Sequence, residues 1–139
     1  MKVMVLVKAT EASEAGVLPD EAALRAMGDF NASLVDAGIL LAGDGLHPSA
    51  RGCRLRFTDA APEVQHGPFS PVGSLVAGFW LWQVRSLEEA VQWLRRAPFN
   101  AGHEVEIRPV MGEEDFGTAF TEDLRAQEQR LRERTGHTD

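Results

Sequence analysis

Gly78-Phe79-Trp80-Leu81-Trp82-Gln83-Val84-Arg85-Ser86-Leu87-Glu88-Glu89-Ala90 is the stretch that decides the fold. Alternation over residues 78–85 puts Phe79 and Leu81 on one face of a strand and Trp80, Trp82 and Val84 on the other, so both faces are apolar. Directly behind it, Ser86 and Glu89 have the S-x-x-E spacing of a capping box. Leu87, Ala90, Val91 and Leu94 then form the apolar stripe of a helix that Pro98 ends. Beyond the helix, His103 to Met111 alternates Val105 and Ile107 against Glu104, Glu106 and Arg108, with Pro109 marking an edge or a strand end. This is one β-α-β half.

A matching half precedes it. Lys2 to Lys8 carries Val3, Val5 and Val7 on one side and Met4 and Leu6 on the other, a second strand apolar on both faces. Residues 9–19 read as a loop. Asp20 stands at a helix N-cap with Glu21 at the positive end of the dipole. Leu24, Met27, Leu34 and Val35 make the expected buried stripe, and Gly38 supplies the stop. Ile39 to Leu46 is an apolar strand that breaks into a turn at Gly43-Asp44-Gly45. Gly52 to Thr58 alternates Cys53, Leu55 and Phe57 against Arg54, Arg56 and Thr58, a strand wet on one face. Glu63–His66 is a short extended segment, followed by a Gly/Pro/Ser-rich loop over residues 67–74.

The order β-α-β-β, loop, β-α-β predicts an α+β domain over residues 1–111, with a ferredoxin-like antiparallel sheet and both helices on one face. Two helices cover only one side, and a large apolar patch is seldom left to solvent. The expected cover is a second copy, giving a homodimer through the sheet face; the alternative is that the C-terminal segment folds across it. Residues 112–139 form a charged C-terminal helical extension, acidic at Glu113, Glu114 and Asp115. It becomes helical from about Thr121 to Arg134, with Glu128 and Arg132 at i,i+4 spacing.

Composition removes several function classes. The chain has 139 residues and a formal charge of −7, which gives a phosphate backbone or anionic membrane no electrostatic attraction. Nucleic acid and membrane are therefore not expected partners. The single cysteine, Cys53, precludes a disulfide framework; it reads as a buried, inert thiol on the drier face of its strand, and a reducing, cytoplasmic setting is the simplest one. No apolar run approaches the roughly 20 residues of a membrane span, and the N-terminal run is too short for a signal peptide. The four histidines lack metal-ligand spacing, so no metal is expected. No P-loop, dinucleotide fingerprint, HExxH or GxSxG motif is present.

Three places carry polar groups in positions suited to chemistry. Asp44-Gly45-Leu46-His47 sets a carboxylate and an imidazole three residues apart after a strand, where a carboxylate can orient an imidazole that exchanges protons near neutral pH. His66 closes an extended segment, and Gly67-Pro68 bends the chain sharply behind it. Asn31 falls on the buried stripe of the first helix, where an amide must find a partner, in a neighbouring loop or at a pocket between helix and sheet. Lys8, Ser13 and Glu14 stand near the same rim. Each also has a plain reading, as a solvated turn, a loop histidine or a strand end. The tryptophans Trp80, Trp82 and Trp93 read as packing.

Taken together, Val7-Lys8-Ala9-Thr10, Gly45-Leu46-His47-Pro48-Ser49, Gly67-Pro68-Phe69, Ala77-Gly78-Phe79-Trp80-Leu81-Trp82, Glu106-Ile107-Arg108-Pro109 and Glu114-Asp115-Phe116-Gly117 resemble the YCII-related proteins of the DGPF-domain type, over nearly the whole chain. The resemblance implies a dimeric α/β barrel, a bacterial cytosolic setting, no metal or organic cofactor, and a pocket in each subunit served by a histidine and an aspartate. One branch of that family is associated with removing chloride from a hydroxylated aromatic ring. Against the family's D-G-P-F this chain has His66-Gly67-Pro68-Phe69, and against its A-E-T-K-E it has Ser70-Pro71-Val72-Gly73-Ser74.

The expectation is a homodimeric binder of an unidentified small molecule. Its ligand-binding residues are Lys8, Asn31, Ser49, Phe69 and Ser70. If it is an enzyme, it is cofactor-free, with His66, then His47, as general acid/base and Asp44 as the orienting carboxylate, acting on a small organic acid or phenol. The alternative is a non-catalytic ligand-binding or regulatory module that has lost the family's charged loop.

Overall fold

The computed structural model of the protein describes residues 1–136. Strands β1 (Lys2–Lys8), β2 (Leu40–Gly45), β5 (Val76–Gln83) and β6 (Val105–Pro109) form one sheet in the order β2-β5-β1-β6, while β3 (Cys53–Arg56) and β4 (Glu63–His66) make a separate hairpin. Every pairing in both sheets is antiparallel. Helices α2 (Glu21–Asp36) and α3 (Leu87–Leu94) complete two β-α-β halves, so the fold is ferredoxin-like α+β. The two strands read as apolar on both faces, β1 and β5, are the two central ones, as double coverage requires. Pro109 closes the edge strand β6, where its missing N–H interrupts no ladder.

The core lies between the helices and one sheet face. Val3 and Val5 of β1, Trp80 and Trp82 of β5, Phe30 and Leu34 of α2, and Ala90 of α3 are buried there together. Trp80, Trp82 and Phe30 pack as an aromatic cluster, with Trp80 and Trp82 centroids 5.5 Å apart and Phe30 edge-on to Trp80 at 5.7 Å. Trp82 is fully buried and its Nε1 has no hydrogen-bond partner. The opposite face carries Met4, Leu6, Phe79 and Leu81, placed side by side by the pairs Met4↔Leu81 and Leu6↔Phe79.

Several local expectations are corrected. The buried stripe of α2 is Met27, Phe30, Asn31 and Leu34, an i, i+3, i+4, i+7 set; Leu24 and Val35, each 59% exposed, lie outside it. The 9–19 loop contains a short helix, α1 (Glu11–Glu14), because Thr10 and Ser13 cap it reciprocally. At α3 the expected box is half made. Ser86 Oγ accepts from the Glu89 N–H at 3.1 Å, but the Glu89 carboxylate pairs with Arg85 at 2.6 Å. Cys53 is exposed, since the β3–β4 hairpin stands apart from the main sheet and alternation there does not imply a covered face.

Residues Met1–Pro109 form one compact unit and a second begins at Val110. In the second, Thr121 caps α4 (Glu122–Thr135), Glu128 and Arg132 pair at 3.0 Å, and Gly136 ends the helix with φ 74°. Residues 137–139 of the expected extension lie outside the described residues. Among the described residues no helix is long and apolar enough to cross a membrane.

Candidate functional site

A cavity of about 390 Å³ lies between α2 and the sheet. Met27 and Asn31 of α2 form one wall, Val7 and Leu40 come from β1 and β2, and Trp80 and Phe99 add aromatic rings. The two rings meet edge to face, with centroids 6.0 Å apart and planes at 68°, so they make a corner and not a flat lid. The floor is backbone at Gly43, Gly45 and Gly78.

Those glycines explain why there is a cavity. Gly43 pairs with Trp80, and Gly45 with Gly78, in the β2–β5 ladder. A methyl group on Gly43 would stand 2.6 Å from Trp80 Cδ1, so the indole rests where that side chain would be. A methyl on Gly45 would meet nothing within 4 Å. The residues expected to form a turn, 43–45, are therefore the last residues of β2, held in register by Trp80, Phe79 and Gly78. Alternation places the Asp44 side chain with Phe79, on the face opposite Gly43 and Gly45, and Asp44 borders the cavity along its strand.

Asn31 is the polar side chain on the helix wall. Its Oδ1 accepts a hydrogen bond from Trp80 Nε1 at 2.9 Å. The helix is thereby tied to the sheet at the cavity itself, and a buried indole N–H is satisfied.

The other expected site residues stand elsewhere. His66 ends β4 and faces Cys53 across the hairpin, exposed. His47 is exposed, with Arg51 Nη1 at 3.0 Å from its Nδ1. Lys8, past a register shift at the end of β1, pairs with Glu106 at 3.8 Å. Ser49 opens a 3-10 turn (Ser49–Arg51), Phe69 lies under the Arg54 guanidinium with 4.0 Å from its carbon to the ring centre, and Ser70 is exposed. Asn31 and Asp44 line the cavity; His66, His47, Lys8, Ser49, Phe69 and Ser70 are not among its lining residues.

A second polar constellation links three loops. The Glu14 carboxylate accepts from the Ser49 N–H at 2.8 Å and from the Ser49 hydroxyl, whose oxygen in turn accepts from the Phe69 N–H at 2.9 Å. Both bonds from Ser49 hold the Glu14 carboxyl below its ordinary range, side chain first and backbone second. Gly67 lies so close to the Ser49 carbonyl that any side chain there would overlap it. Among the described residues no three His, Cys, Asp or Glu side chains gather as metal ligands would.

Sequence reasoning missed the aromatic corner and the glycine floor. The available signal was three glycines inside or beside apolar strands, which mark close approach or vacant space, together with an amide on a buried helix stripe.

A ferredoxin-like α+β domain with a glycine-floored cavity under one helix defines the class. The chain belongs to the YCII-related domain family, which matches residues 1–114. A solved structure that it resembles is 5-chloro-2-hydroxyhydroquinone dehydrochlorinase from Burkholderia phenoliruptrix, in complex with 2,5-dihydroxybenzoquinone, at 16% identity and a TM-score of 0.41, covering 82% of this chain and 98% of that one. No curated protein matches the chain.

Proposed function

We propose that this protein is a small-molecule-binding member of the YCII-related family, acts as a homodimer, and holds its ligand in the cavity between α2 and the sheet. One observation carries the proposal: a cavity of about 390 Å³ with apolar and aromatic walls, bare backbone for a floor, and an amide held in one orientation by a buried indole. Small-molecule sites have this makeup, with largely apolar walls and a few placed polar groups. Gly45→Leu is the direct test. Gly45 lines the cavity and a Cβ there meets nothing within 4 Å, so a leucine side chain is expected to occupy it. Small aromatic probes that shift the Trp80 indole N–H resonance of the parent should leave that of the variant unmoved; equal response in both would reject the cavity as the site.

The homodimer is supported by the contiguous apolar block Met4, Leu6, Phe79 and Leu81 on the sheet face opposite the helices. A monomeric mass by light scattering at micromolar concentration would reject it.

In the catalytic version, the ligand reaches beyond the cavity's lining residues to His66 or His47, which serves as general acid/base with Asp44 stabilising the imidazolium, and the altered 66–74 segment sets which ligand is accepted. Proton transfer requires hydrogen-bond reach, directly or through one water. NMR titration of His66 and His47 separates this version from a binding module. A titration that moves on Asp44→Asn supports the acid–base pair, and one that does not leaves binding alone.

A further inference from the structure

The cavity is chemically one-sided, and, given that it is the ligand site, this selects its ligand. A tryptophan Nε1 only donates, so the atom of Asn31 that meets Trp80 must be the amide oxygen. The amide can therefore not turn over. Its Nδ2 keeps two hydrogens, and no acceptor among the described residues takes them. The hydrogens offered at the helix wall are those two N–H groups, while Oδ1 has one of its two lone pairs already taken by Trp80.

Charge sharpens the choice. Among the described residues no Lys, Arg or His lines the cavity, and the one charged residue that borders it, Asp44, directs its side chain to the other face of the sheet. A carboxylate or phosphate entering it would shed water without gaining a cation, which is strongly unfavourable. The remaining walls are apolar, with Trp80 and Phe99 meeting at 68° as an aromatic corner whose ring faces suit a flat body.

We infer that the site takes uncharged, flat, mainly apolar molecules that present a carbonyl-type oxygen to Asn31 Nδ2, and that Asn31, locked by Trp80, is the residue that sets this preference. Of the expected small organic acids and phenols, the acids are thereby disfavoured, and ketone-like or amide-like compounds are favoured.

The test uses three probes with one body and different heads, 1-indanone, indane and indane-1-carboxylate, titrated into the full 15N-labelled chain. The ketone should bind about tenfold tighter than indane, the scale of one net hydrogen bond, and tighter than the carboxylate. It should also shift the Asn31 side-chain NH2 resonances. Asn31→Asp keeps an acceptor for Trp80 but replaces the free donor with an acceptor. The Trp80 indole signal should persist in this variant while the preference for the ketone disappears. Equal affinity for ketone and indane, tighter binding of the carboxylate, or a ketone preference that survives Asn31→Asp would overturn the inference and leave the cavity standing as the site. If none of the probes moves the Trp80 or Asn31 resonances, or if binding survives Gly45→Leu, the cavity itself is rejected and the inference with it.

Discussion

Glu14 receives both hydrogen bonds that Ser49 can donate, the backbone N–H at 2.8 Å and the hydroxyl. Because the Ser49 hydroxyl oxygen also accepts from the Phe69 N–H, one carboxylate joins α1, the turn after β2 and the segment after β4.

That link has a predictable pH dependence. The Glu14 carboxyl is held below its ordinary range, so the folded chain binds fewer protons there than the unfolded chain does. Its stabilisation is complete above the ordinary glutamate value, about 4.3, and is lost as pH falls through the lower folded value. Glu14→Gln should lower the urea midpoint at pH 7, and the gap between variant and parent should close toward pH 3. A gap independent of pH would place the effect in packing.

Ser49→Ala should release the same three segments by a different route. Its hydroxyl is both the donor to Glu14 and the acceptor for Phe69, so the Phe69 amide loses its partner. Hydrogen exchange at Phe69 should accelerate by at least about tenfold, the scale of one lost hydrogen bond, with exchange in β1 and β5 unchanged.

The two glycines of β2 should respond oppositely to a methyl group. Gly43→Ala drives its methyl against Trp80 Cδ1 at 2.6 Å and displaces the indole that holds Asn31, at a cost of about 1–3 kcal/mol for overpacking. Gly45→Ala, with nothing within 4 Å, should be neutral to within about 0.5 kcal/mol. Chemical denaturation of both variants checks the contrast; equal costs would mean that the cavity does not lie where Gly45 points.

Along α2, Leu34→Ala should cost about 2–5 kcal/mol, since Leu34 is fully buried in the core. Leu24→Ala and Val35→Ala should stay within about 0.5 kcal/mol, both residues being 59% exposed. A large loss at Leu24 or Val35 would indicate that a second surface covers the outer side of this helix.

On the sheet face away from the helices, Phe79→Lys should convert a dimer to monomers without unfolding the chain, because Phe79 packs beside Leu6 outside the core cluster. Sedimentation or light scattering together with circular dichroism distinguishes dissociation from unfolding. An unchanged mass would show that the copies do not meet through this face.

The order of strands and helices was legible in the chain because its determinants are local. Two-sided apolar alternation made β1 and β5 central, Asp20 and Ser86 announced their helices, and Pro109 marked an edge. What depends on partners distant in sequence was not legible. Gly43-Asp44-Gly45 looks like a turn until β5 pairs with it, and Cys53 looks buried until its hairpin separates from the main sheet. Which side of α2 faces inward was set by packing against the tryptophans, so Phe30 replaced Leu24 and Val35 in the core. The sequence by itself determined that Asn31 would lie on a half-buried helix face and need a partner. Only the tertiary structure decided that the partner is Trp80, 49 residues away, and a donor-only indole against an amide is what turns that contact into a fixed orientation at a cavity.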